Sequence, residues 1–188
     1  MINRTVLKSV SFPKRAVVIT LALLALSLFI FGASNAAPSE QPQLQQALPQ
    51  QPYLPLEMAL EAASAALAQC ETDGHRVTVA VVDQAGVEKV ILKGDGAGPH
   101  TIASSVGKAF TAASMRRATG EIATAIAENP ALDELRAMDE RILILAGGLP
   151  IEINGEVVGG IGVGGAPGGD LDAACAQAGI EQITGAGN

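Results

Sequence analysis

Residues 149–163 read L-P-I-E-I-N-G-E-V-V-G-G-I-G-V, two apolar runs joined by Asn154-Gly155. Asn-Gly supplies the two positive-φ positions of a type I′ turn, the strongest short hairpin signal a sequence offers. The stretch predicts strands over 149–153 and 156–163, paired antiparallel. Residues 77–83 (V-T-V-A-V-V-D) are apolar on both faces, as expected of a covered central strand. The turn at Asp83, Gln84, Ala85 and Gly86 leads to a partner over 87–93, a second hairpin. Residues 141–145 (R-I-L-I-L) read as a fifth, buried strand ending at Gly147-Gly148.

Helical spacing fills the intervals. Leu56, Leu60, Ala63, Leu67 and Cys70 predict a first helix over 56–71. Residues 99–117 form the longest, with Pro99 at its first position, where a missing N–H costs nothing. A shorter helix starts at Thr119 and is broken by Asn129-Pro130, and 132–137 make a further short turn. A last helix runs from Asp170, a good N-cap, through Ile183. The order α-β-β-α-α-β-β-β-α gives an α/β (α+β) fold. Its sheet is five-stranded and mainly antiparallel, with helices layered over it.

The N-terminus bears on compartment. Arg4, Lys8, Lys14 and Arg15 precede an uncharged apolar run over 16–31, and small residues follow at Ala33, Ser34 and Ala36. This is the pattern of a signal peptide, residues 1–36, cleaved before Ala37, with an uncleaved membrane anchor as the alternative. Residues 37–55, rich in Gln and Pro, read as a disordered linker, and 56–188 as the domain. The expectation is export to the periplasm or outside the cell, with no stable membrane association after cleavage. Cleavage removes four basic residues and no acidic ones. Eight Lys and Arg then face 19 Asp and Glu, a net charge of −11 against −7 for the whole chain. That balance argues against nucleic acid as a partner, while leaving room for a small anionic ligand at a local positive spot. Cys70 and Cys175, an even pair in an exported segment, are expected to form a disulfide tying the first helix to the last. Two buried free thiols are the alternative.

The candidate site is the stretch G-D-G-A-G-P-H-T at 94–101 and the helix it opens. A helix entrance presents free backbone N–H groups and the positive end of the helix dipole. Ile102, Val106, Ala109, Phe110 and Ala113 share the face assigned to the core. His100, Ser104, Lys108, Thr111 and Met115 share another stripe, whose bland reading is a solvated face. His100 and Met115 cannot both ligate one metal within one subunit, because fifteen residues of straight helix span about 22 Å. Lys108 could pair with a carboxylate. Gly160, Gly162 and Gly165 match G-x-G-x-x-G without the helix a dinucleotide site requires, so they read as close backbone approach and turns. Cys70, Glu71, Asp73 and His75 match no zinc spacing and read as a polar turn. No nucleophile–base set can be assembled, which favours a binding protein over an enzyme. With no Trp, with Tyr53 in the linker and with Phe110 the one Phe after residue 36, few rings remain to line a deep pocket.

Five blocks taken together resemble the GlcG/HbpS family: V-T-V-A-V-V-D-Q-A-G (77–86), K-G-D-G-A-G-P-H-T (93–101), G-K-A-F-T-A-A-S (107–114), G-G-L-P-I (147–151) and G-G-I-G-V-G-G-A-P-G-G (159–169). The resemblance covers about 56–183. It implies an α/β domain with an antiparallel sheet, homo-oligomeric assembly and, for some members, haem or iron binding. A signal peptide is a property of its secreted branch. The implied cofactor is haem at a shallow or intersubunit site, with His100 as the candidate iron ligand. Thr111 and Lys108 are alternatives or propionate partners. The competing reading is an enzyme or accessory factor acting on a small anionic metabolite at the same helix entrance.

Overall fold

The computed structural model describes residues 51–185, all within one compact unit, Gln50–Asn188. The signal peptide expected over 1–36 lies outside the described residues, as does the linker up to residue 50. The elements are α1 (Leu56–Thr72), β1 (Thr78–Asp83), β2 (Glu88–Lys93), α2 (Thr101–Met115), α3 (Thr119–Glu128), a 3-10 segment (Pro130–Ala137), β3 (Gly148–Ile153), β4 (Glu156–Gly164) and α4 (Gly169–Thr184). None of the described helices is long and apolar enough to cross a membrane.

The α+β architecture is present, with one antiparallel sheet in the order β2-β1-β4-β3. It has four strands, not five. Residues 141–145 are irregular because their backbone groups bond to side chains instead of a ladder. Leu143 N–H donates to Thr111 Oγ1, Ile144 O accepts from Arg136 and Leu145 O from Thr119. The free edge of β4 is already taken by β3. Both expected hairpins form. Asp83 Oδ1 accepts the N–H groups of Ala85 and Val87, and Asn154 and Gly155 adopt φ of 54° and 80°.

The two faces of the sheet are packed differently. On one, Val79, Val81, Ile151, Ile161 and Val163 meet the Ala-rich faces of α1 and α4. Leu54, in the stretch read as linker, is fully buried in this core, so domain packing begins before α1. A Cβ at Gly179 of α4 would collide with Ala62 O, so the two helices touch backbone to backbone. Cys70 and Cys175 are bonded across them, with Cα atoms 5.5 Å apart. On the other face Ala80 and Val82 pack on Ala109 and Ala113 of α2. Side chains at Gly160 and Gly162 would strike the α2 carbonyls of Ala109 and Ser105. Those glycines let α2 lie directly on β4, the role in close approach expected from sequence.

Three local expectations need correction. Pro99 and His100 form a turn ahead of α2, which starts at Thr101, because Thr101 N–H and Oγ1 both bond back to Gly98 O. Asp170 is not the N-cap of α4. Gly168 holds that position without a side-chain cap, and Asp170 lies in the first turn. Ile102, assigned to the core, is 40% exposed, and its neighbour Thr101 takes the buried position instead, bonded to Thr78 of β1.

The disulfide closes a sequence separation of 105 residues. Chain entropy makes such a loop stabilising, with bridges of this kind contributing about 2–5 kcal/mol. Reduction is expected to lower the denaturation midpoint accordingly, measured by urea unfolding with and without reductant. An unchanged midpoint would mean that the unfolded ensemble is not restrained by the bridge.

Candidate functional site

The small residues that bring α2 against the sheet also decide which of its polar groups reach solvent. Past Ser104 the helix is covered by the sheet on one side and by residues 141–147 on the other. The stripe read as solvated is therefore split. His100 is exposed, Ser104 and Met115 are half-buried, and Lys108 and Thr111 are buried.

Lys108 is the one charged side chain between Asp95 and Arg116, and the fold uses its charge internally. Its ammonium donates to Asp172 Oδ2 at 2.7 Å and to Val163 O at 2.8 Å, with both side chains about 5% exposed or less. Asp172 Oδ1 in turn accepts Ala166 N–H. Four pieces of chain meet there: α2, the end of β4, the following loop and the first turn of α4, where a carboxylate suits the helix dipole. A Cβ at Gly147 would lie 2.8 Å from the ammonium nitrogen. Asp172 was not anticipated from sequence. The legible sign was a lone lysine in a run of small and apolar residues.

Thr111 is also occupied. Its hydroxyl donates to Gly107 O at 2.7 Å and accepts Leu143 N–H at 2.8 Å. The pair Cys70 and Cys175 is a disulfide, and His75 N–H bonds to Cys70 O in a turn. No cluster of three or more His, Cys, Asp or Glu with metal-binding geometry exists among the described residues.

His100 stands apart from these. Its ring rests against Gly98, where a Cβ would come within 2.7 Å of it. It lies at one end of an open groove of about 560 Å³ between α2 and residues 140–145. The α2 wall is Ala103, Ser104, Val106 and Gly107, following His100 at helical spacing, and the facing wall includes Ile142, Leu143 and Leu145. The lining is mainly apolar and holds no Phe, Tyr or Trp. That volume falls in the range of small-molecule sites, about 300–1,000 Å³. Gly107 lets the walls meet at the floor, since a Cβ there would be 2.9 Å from Leu143 Cβ.

The groove also holds Glu140 and Arg141. The Arg141 guanidinium is fixed by two bonds to Asp139 and lies 3.9 Å over the Phe110 ring. Those bonds raise the Arg141 pKa and lower that of the Asp139 carboxyl to about 2. Gly107, Arg141 and Leu143 were missed as site residues, because 141–145 reads from sequence as a buried strand.

A family model described as "Haem degrading protein HbpS-like" matches residues 54–181. The chain belongs to the HbpS-like family. Among solved structures, a double mutant of Streptomyces reticuli HbpS is 47% identical with a TM-score of 0.66, over 71% of this chain and 88% of that one. PduOC, solved as a haem complex, is 25% identical with a TM-score of 0.65, over 70% and 95% of the two chains. An uncharacterized 15.0 kDa protein encoded in the dhaT-dhaS intergenic region of Citrobacter freundii is 37% identical over 90 residues, 47% of this HbpS-like chain. The match spans 63% of that relative's length.

Two outcomes are expected from these contacts. Lys108→Ala leaves the Asp172 carboxylate buried without its partner and should destabilise the protein by about 3–5 kcal/mol. Lys108→Met combined with Asp172→Leu should recover most of that loss in urea unfolding. A double variant as unstable as the single one would show that packing, not charge, is at stake. Asp139 is ionised in the fold well below its ordinary value of 3.8. Its contribution is complete above pH 3.8 and is lost as the pH falls through about 2. NMR titration should place its midpoint near 2, returning toward 3.8 in Arg141→Ala. A midpoint near 3.8 in the unaltered protein would rule out the persistent pair.

Proposed function

We propose that this HbpS-like protein binds haem in the groove between α2 and residues 140–145, with the His100 imidazole as iron ligand. The observation that carries the reading is an exposed histidine at the end of an open, mainly apolar groove. The residues present suit the group. Ala103, Val106, Ile142, Leu143 and Leu145 offer apolar surface to a flat macrocycle, and imidazole is a common haem ligand. Haem held there supplies an iron centre whose properties depend on its axial ligand and on the polarity around it. The described residues of the groove offer one imidazole and an open side, which agrees with a shallow site completed by solvent or by a second subunit. Family membership and the PduOC haem complex support the ligand class.

Lys108 and Thr111 have no part in direct contact under this reading, because their polar groups are buried and bonded within the fold. The same fact weighs against a small anionic metabolite held by Lys108 at the helix entrance. Export through residues 1–36 and homo-oligomeric assembly complete the proposal, the first supported by the basic and apolar pattern of the N-terminus.

Titration of the purified protein with haem should produce a shifted Soret band at one equivalent per chain. His100→Ala should weaken binding by about tenfold or more, as expected when an iron–ligand bond worth over 1.4 kcal/mol is lost. Identical spectra and affinities for the two proteins would remove His100 from the site, and no band in either would remove haem.

A further inference from the structure

We infer that Thr111 is a positioning residue of the groove, holding the wall at Leu143 against α2 so that the opening keeps its width. The inference rests on the reading of the groove as the haem site. Residues 141–145 form one wall yet belong to no strand ladder, so their position depends on individual bonds. Two of these come from the wall's own side. Arg136, in the 3-10 segment, donates to Ile144 O at 3.4 Å, and Thr119, at the start of α3, donates to Leu145 O at 2.6 Å. Among the side-chain bonds to this wall, the one from the opposite face of the groove is Leu143 N–H to Thr111 Oγ1, 2.8 Å.

Thr111 is fully buried, and its single hydroxyl proton is committed to Gly107 O. It reaches neither iron nor a propionate, and it acts through Leu143, whose side chain lines the groove. The donation to Gly107 turns the lone pairs of the oxygen toward the wall. Gly107, one helical turn earlier, marks the closest approach. A Cβ there would meet Leu143 Cβ at 2.9 Å and Arg141 O at 3.2 Å. A missing side chain at 107 and a hydroxyl at 111 together set how near the wall stands.

Thr111→Val keeps the shape and removes both bonds, whereas Thr111→Ser keeps the hydroxyl. In the ligand-free protein, exchange of the Leu143 amide followed by NMR should accelerate about tenfold in the Val variant, the equivalent of one net hydrogen bond, and return to the original rate in the Ser variant. Haem affinity should fall and recover in parallel, while the absorption spectrum of bound haem stays that of the unaltered protein. Unchanged Leu143 exchange in Thr111→Val, or a bound-haem spectrum altered as in His100→Ala, would overturn the inference. Should the Val variant not fold, Gly107→Ala presses on the wall from the same helix with the hydroxyl intact. It should weaken haem binding, and unaltered affinity would count against the positioning role. If the unaltered protein binds no haem, the proposed ligand fails, and Leu143 exchange still decides what Thr111 does.

Discussion

The buried pair of Lys108 and Asp172 is the constraint around which the rest is arranged. An ammonium and a carboxylate removed from water are tolerable only when their remaining valences are filled. Here Val163 O and Ala166 N–H each add one further bond to the pair. Each of the four groups comes from a different part of the chain, so the pair can form only if α2, β4, the loop after it and α4 are all in register. No buried side-chain polar atom among the described residues lacks a partner. The pair also commits the one lysine of α2 to the interior of the fold.

That arrangement depends in turn on the absence of side chains. Gly160 and Gly162 bring α2 so close to β4 that the backbone of one touches the other, and Gly147 leaves space beside the Lys108 ammonium. On the opposite face of the sheet Gly179 does the same for α1 and α4. A core of alanine, valine and glycine is thin, and it offers few large apolar side chains to bury. The disulfide between α1 and α4 lies where that packing relies on the smallest residues.

Much of the fold was legible because its signals are local. Asn154-Gly155 and the Asp83 turn specify their hairpins through backbone conformations and bonds made within four residues. The close-approach role of the β4 glycines followed from the lack of a dinucleotide context. The segment 141–145 misled because R-I-L-I-L has the composition of a buried strand. Ile144 is indeed buried, but with Ile122 and Ile126 of α3 and outside any sheet. Apolar content specifies burial, and only a free neighbouring edge makes a buried run a strand. The positions of Lys108 and Thr111 were not legible for a related reason. Helical spacing gives the angle of a side chain about its axis but not what lies opposite, and here a nonlocal segment covers the stripe from Gly107 onward.

The groove follows from that covering segment. Were residues 141–145 a fifth strand, their N–H and C=O groups would be paired along an edge and the wall facing α2 would have no reason to stand where it does. As an irregular segment the chain can place Ile144 inward and Leu143 and Leu145 toward α2. The Phe110 ring, the one aromatic in the described core, is engaged by the Arg141 guanidinium and by Gly86. It is therefore not part of the groove surface. A ligand there would meet aliphatic walls, one imidazole and an open side, with no Phe, Tyr or Trp ring in the lining to stack on. On the proposed reading, the spacing of those walls at Gly107 and Thr111 determines what the groove holds as much as the histidine at its end does.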